Sequence, residues 1–208
     1  MANTKDNRRV QYTKTALRKS LLSLLLERPI DRITVKDICA GAGLNRGTFY
    51  AHYSSPEQLL AQIENEFYID LLSEVATFQQ AEDVERIFVR ALCALRDRQE
   101  LASALFGPNG DRAFLTRMIH VAHDMCIVQW NSVSPEASRE ALEFTYTFIS
   151  HGVANLIQQW LADGARESPE KLAALMNDLC NYGVSAFVDL SKITPPVARR
   201  FPLINAAQ

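Results

Sequence analysis

What the 208-residue chain lacks narrows its class before any motif is read. It has no run of about 18 uninterrupted apolar residues, the length a membrane-spanning helix needs, so no membrane partner is expected. The opening residues, MANTKDNRRV, hold no apolar stretch of the secretory kind, and a cytoplasmic location is expected. The four cysteines, Cys39, Cys93, Cys126 and Cys180, lie far apart, without the paired spacing of a zinc or redox motif. They read as buried free thiols, and no cofactor or metal is expected. No segment sustains an apolar period of two, which excludes a half-buried sheet. No grouping of nucleophile, base and orienting residue stands out either, and the chain is not expected to be an enzyme.

What is present is an apolar content of 48%, too high for a disordered protein, arranged with a period near 3.6. Val84, Ile87, Phe88, Ala91, Leu92 and Leu95 follow that period. So do Leu115, Met118, Ile119, Ala122, Met125 and Cys126, then Leu142, Thr145, Ile149, Val153, Leu156 and Trp160, and finally Leu172, Leu175, Met176, Leu179, Gly183 and Phe187. An all-α fold of about nine helices follows. The tripeptide Ser-Pro-Glu occurs at 55–57, 134–136 and 168–170. Serine suits the N-cap, proline the first helical position and glutamate the positive helix end, so each predicts a helix start. Gly107-Pro108-Asn109-Gly110 and Asp163-Gly164 supply stops, and the tail from Ser191, with three prolines, reads as irregular.

The net charge of −2 conceals an asymmetry. Residues 1–53 hold ten basic and four acidic side chains, a balance of +6 that leaves −8 on the remainder. A basic end on an acidic body suits contact with phosphates at that end alone. Within it, RITVKDICAGAGLNRGTFYAHY has the local chemistry of two short helices. Thr34 caps the first, Asp37 completes a capping box, and Ile33 and Ile38 are placed as a hydrophobic staple. Gly43 suits a left-handed turn, Leu44 is expected to be buried, and Asn45 caps a second helix from Arg46 to about His52. The pattern is a helix-turn-helix, read from Thr34 to Tyr53.

In such a unit the second helix enters the major groove of double-stranded DNA, its first turn facing base edges. Arg46 is the leading candidate for base readout, because a guanidinium can bond both O6 and N7 of guanine. Gly47 allows close approach, Thr48, Tyr50 and Tyr53 offer hydroxyls to phosphates, and His52 suits either role.

Thr34, Val35, Ile38, Ala42-Gly43, Gly47-Thr48-Phe49-Tyr50, Tyr53, Ser55, Glu57, Leu59 and Leu60 together resemble the N-terminal signature of the TetR/AcrR family of bacterial regulators. The resemblance implies a helix before the motif from about Val10 to Arg28 and a linking helix from Pro56 to about Phe78. It also implies an acidic helical domain that dimerises and often binds a small effector. By position it makes Thr34 a phosphate contact and points Asn45, Arg46, Gly47, Thr48, Tyr50 and His52 at the groove. Pro56 departs from the family, which commonly places a phosphate-binding lysine there. Lys14, Arg18, Lys36 or a flexible basic arm with Lys5, Arg8 and Arg9 would then have to replace that contact. His151-Gly152, Trp160-Leu161, Gly164 and Ser168-Pro169-Glu170 resemble one branch of the family without fixing a ligand.

Other readings of the same residues stay open at this point. Gly41, Gly43 and Gly47 mimic a dinucleotide-binding loop, but a capped helix precedes them and the spacing is one residue too long. His120, His123, Asp124 and His151 suggest a metal site, against which His120 projects opposite the apolar face and His123 onto its flank. The helix read as Pro135 to Leu161 has a second stripe, Phe144, Phe148, His151 and Asn155, which fits a dimer interface, a ligand cavity or ordinary monomer core. The resemblance assigns it, with the last helix from Pro169 to about Leu190, to a homodimer interface. An effector pocket is expected near Phe88, Leu92, Phe106, Phe114, Met118, His123 and Trp130, which also fit plain core.

The expectation is therefore a homodimeric repressor that leaves a pseudo-palindromic operator when a small molecule binds. The competing reading is a helical dimer that binds a ligand or protein without specific DNA recognition. Expected domains are 1–55 for DNA, 56–190 for effector and dimer, and a tail over 191–208.

Overall fold

The computed structural model describes residues 2–75 and 84–185. Their regular elements are all helical: α1 (Ala2–Glu27), α2 (Val35–Ala42), α3 (Arg46–Tyr50), α4 (Pro56–Val75), α5 (Val84–Asp97), α6 (Gln99–Phe106), α7 (Arg112–Ile119), α8 (His123–Val133), α9 (Arg139–Ala162) and α10 (Pro169–Ser185). A single 3-10 turn, His120–Ala122, separates α7 from α8, so the two count as one broken rod in the expected plan of about nine. Phe187, Leu190, the expected end of α4 near Phe78 and the tail 191–208 lie outside the described residues.

Two helix starts differ from expectation. Helix α1 begins at Ala2, because no glycine or proline interrupts the chain before Pro29. Arg8 and Arg9 are therefore exposed on a helix, not on a flexible arm. Helix α9 begins after Ser138, whose hydroxyl accepts from the Ala141 N–H at 3.2 Å. Ser134-Pro135-Glu136 instead forms a turn closed by the Ala137 N–H on the Ser134 carbonyl at 3.0 Å. Serine first and proline second suit a type I turn as well as a helix start, and the nearby Ser138 takes the cap. The other two tripeptides do open α4 and α10, where Ser55 and Ser168 accept from Gln58 and Lys171.

The chain divides into two compact units, Met1–Leu72 with Arg98–Thr116, and Ser73–Asp97 with Arg117–Gln208. The first extends past residue 55 because Leu59, Leu60, Ile63 and Phe67 of α4 are buried, as are Leu17, Leu21 and Leu25 of α1 and Phe49 of α3. Phe67, Phe106 and Phe114 form an aromatic triangle with ring centres 5.7–6.2 Å apart. In the second unit α10 packs on α5 and α9, and α8 packs on α9. Its core includes Leu92, Leu142, Ala173 and Met176, with Ile127 and Trp130 beside Tyr146.

Candidate nucleic-acid interface

The start of α2 is fixed by a reciprocal set of bonds. The Asp37 N–H donates to Thr34 Oγ1 at 3.3 Å, while the Thr34 N–H and hydroxyl donate to Asp37 Oδ2 at 3.0 and 2.8 Å. Arg28 Nη2 reaches the same oxygen at 3.2 Å. The Thr34 hydroxyl and amide, followed by the charges of Arg28 and Lys36, hold the Asp37 carboxyl below its ordinary range. Ile33 and Ile38, the expected staple, are both buried.

Gly43 takes a left-handed conformation at φ 64°, and the Leu44 N–H returns to the Cys39 carbonyl at 2.9 Å. Leu44 itself is half-buried, short of the expected full burial, since the turn leaves it at the rim. Asn45 Oδ1 then caps α3, accepting from the Thr48 N–H at 2.8 Å and its hydroxyl at 3.0 Å. A Cβ on Gly47 would come 3.3 Å from that oxygen, so the glycine spares the cap as well as the approach to a duplex.

Fully buried Phe49 anchors α3. Around this anchor Arg46, Gly47 and Tyr50 are exposed, as are Asn45, Thr34 and Lys36, with Thr48 and His52 half-buried. Tyr53 is the exception among the sequence candidates: it is 3% exposed and packs on Phe49 with ring centres 5.8 Å apart. The helical hydrogen bond from the Tyr53 N–H to the Phe49 carbonyl places it one turn after Phe49 on the same inward face. Burial raises its hydroxyl pKa, and the reading as a phosphate donor gives way to one as support for the recognition helix.

The groups suggested as replacements for the missing lysine also separate. Pro56 is buried at the start of α4. Arg18 is engaged by Glu66, whose other oxygen accepts from Gln62 at 2.8 Å. Lys14 is half-buried, while Lys36, Arg8 and Arg9 remain exposed. Glu66 and Arg28 had no signal in the local pattern, because their partners lie 48 and 9 residues away.

The pocket candidates fall in different units. Phe106 and Phe114 belong to the aromatic triangle, whereas His123 and Trp130 flank Tyr146 in the second unit, where Leu92 is fully buried and Phe88 and Met118 are half-buried. His123 has both ring nitrogens within hydrogen-bond distance of a carboxylate, Nδ1 of Asp124 and Nε2 of Glu143. His151 Nδ1 is 2.8 Å from the Thr147 carbonyl, and among the described residues no three metal-ligating side chains converge. On α9, Leu142, Thr145, Tyr146 and Trp160 are buried, while Phe144 and Phe148 are 67% and 78% exposed and His151 and Asn155 lie open beside them.

Residues 18–63 match the family model described as bacterial regulatory proteins, tetR family, and residues 82–182 match a transcriptional regulator C-terminal region. The chain belongs to the TetR family. It is a transcriptional regulator with an N-terminal DNA-binding domain, in a family of regulators and not of enzymes. An uncharacterized HTH-type transcriptional regulator of Bacillus subtilis, YxbF, is 42% identical over 55 residues, 26% of this chain and 14% of that protein. A TetR regulator of Streptococcus agalactiae shares the fold with a TM-score of 0.61 at 24% identity, over 91% of this chain and all of that one. SmeT, the repressor of the Stenotrophomonas maltophilia efflux pump SmeDEF, does so at 0.60 and 15% identity, over 91% and 97%. No helix among the described residues is long and apolar enough to cross a membrane.

Proposed function

We propose that this TetR-family regulator acts in the cytoplasm as a homodimeric repressor, reading a pseudo-palindromic operator with two copies of α3 and leaving it when a small molecule binds. The observation that carries the reading is the exposed Arg46, Gly47 and Tyr50 surface of a capped helix held from below by Phe49. Arg46 reads a base edge, Thr34, Lys36, Thr48 and Tyr50 contact phosphates, and Asn45 and His52 border the groove. The exposed Phe144 and Phe148 support a dimer through α9 and α10, since large aromatics left in water stabilise an assembly that covers them. A second copy doubles the half-sites contacted. The second unit is the expected seat of the effector, with His123 and Trp130 as the candidates that share a neighbour in Tyr146.

Selection of bound sequences from random duplex DNA tests the proposal. The wild type should enrich a symmetric motif, and Arg46→Ala should relax one position of each half-site by about 1–3 kcal/mol with little change in stability. Absence of any preference over random duplex would refute the reading. The buried Pro56 favours a second reading, a helical dimer without specific DNA recognition, and that outcome would select it.

A further inference from the structure

We propose that His123 is a protonation-dependent clamp fastening the break between α7 and α8 to α9, fully closed only while the imidazole carries both ring protons. His123 is the first residue of α8, directly after the 3-10 turn His120–Ala122. Its Nε2 lies 2.7 Å from Glu143 Oε2 on α9, and its Nδ1 lies 2.8 Å from Asp124 Oδ1 on its own helix. Neither carboxylate can donate when ionised, so both contacts are hydrogen bonds only if both nitrogens carry hydrogen. A neutral ring keeps one of them and sets a lone pair against the other anion.

A second tie lies beside the first. Tyr146, one turn beyond Glu143 on α9, donates its hydroxyl to the carbonyl of Ile119, the last residue of α7, at 2.5 Å. Its ring stands edge to face with His123, centres 4.9 Å apart. Two side chains of α9 thus hold the two sides of the break, and only the His123 tie titrates near neutrality. Among the described residues the charged and titratable groups around the ring are Asp124, Glu143 with Arg139 Nε at 3.5 Å behind it, and His120, whose ring centre is 5.9 Å away; Tyr146 and the thiol of Cys126 are raised well above neutrality, mainly by burial.

The two limits of the closed state follow from the partners. The hydrogen bonds to Glu143 and Asp124 raise the His123 pKa above the ordinary 6.5, and the same bond to His123 lowers that of Glu143 below 4.5. A raised histidine stabilises the fold fully below its unfolded pKa and loses that contribution as pH rises through the folded value. Glu143 loses its contribution as pH falls through its own folded value. The clamp is therefore closed between the lowered Glu143 value and the raised His123 value, and it opens as pH rises through the latter.

The full-length protein tests this through the His123 ring resonance followed by NMR between pH 5 and 9, together with urea midpoints over the same range for wild type and His123→Gln. The expected results are a wild-type midpoint above 6.5 that falls back toward about 6.5 in Glu143→Gln, and a loss of wild-type stability across that midpoint that His123→Gln does not share. A wild-type midpoint at or below 6.5, or one unmoved in Glu143→Gln, overturns the clamp. So do parallel urea profiles for wild type and His123→Gln. Should His123→Gln fail to fold, the ring titration in wild type and Glu143→Gln decides alone. None of these readouts uses DNA, so the clamp stands or falls separately from operator binding.

Discussion

Replacing Gly41 in α2 by alanine puts two helix-level forces in opposition. Alanine in place of glycine within a helix is favourable by about 0.5–1 kcal/mol, and less near the helix end where Gly41 sits. The position is solvent-exposed, so propensity alone predicts a gain. The structure predicts a loss, because a Cβ there would lie 2.3 Å from Ser20 Oγ and 3.3 Å from Ser20 Cβ on α1. The hydroxyl can rotate away only by giving up its buried 2.8 Å bond to the Ile38 carbonyl. Losing that bond and leaving the hydroxyl unpartnered costs about 1–3 kcal/mol, which exceeds the propensity gain. We expect Gly41→Ala to destabilise the protein by about 0.5–2 kcal/mol in urea unfolding. In a Ser20→Ala background the 2.3 Å encounter is gone, and the same change should be nearly neutral or stabilising. The coupling between the two positions should be about 1–2 kcal/mol. A Gly41→Ala protein more stable than wild type, or additive effects within about 0.3 kcal/mol, would show that the approach of α1 to α2 is looser than these distances require.

Three further outcomes follow from the head and from α9. Asn45→Ala removes the acceptor for the Thr48 amide and should cost about 1 kcal/mol in thermal unfolding, whereas Asn45→Asp, which keeps an acceptor, should cost less; equal losses would exclude capping as the role of Asn45. Phe148→Glu should shift sedimentation of the proposed dimer to monomer while the monomer keeps its helical circular dichroism, because the ring is 78% exposed within one chain; an unchanged dimer would place the interface elsewhere, and a monomeric wild type would refute the dimer itself. Asp37→Asn keeps an acceptor for the Thr34 amide but removes an anion from the end of α2 proposed to meet phosphates, so duplex affinity at low salt should rise a few-fold, and a fall would mean that the ion pair with Arg28 matters more than repulsion.

The helix-turn-helix was legible in the sequence because each of its determinants is local. Thr34 to Asp37, Asn45 to Thr48 and the left-handed Gly43 act over three residues or fewer, and the structure contains all of them. Legibility failed where one signal admits two conformations. Ser134-Pro135-Glu136 fits a turn and a helix start equally, and only the competing cap at Ser138 decides. It failed again where burial depends on a neighbour distant in sequence. Tyr53 looked like a surface hydroxyl until its packing under Phe49 was visible, and Arg18 looked like a free cation until Glu66 was placed beside it. The effector pocket was least legible, since aromatic and methionine positions serve a core and a cavity alike.

The capping geometry also constrains how the head can hold DNA. Thr34 and Thr48 each donate their hydroxyl proton to an oxygen of their own cap, Asp37 Oδ2 and Asn45 Oδ1. A phosphate oxygen can only accept, so either hydroxyl must turn its proton outward to serve one. The heavy atoms need not move, because Thr34 Oγ1 still accepts from the Asp37 amide and Asn45 Oδ1 still accepts from the Thr48 amide after the proton rotates. Each contact therefore exchanges an internal bond for one to the duplex, and its net gain is smaller than that of a donor waiting free. Arg46 and Lys36, exposed on the first turns of α3 and α2, carry no such internal cost. Affinity should then reside mainly in these cations, while the two threonines fix the register in which the cations meet the duplex.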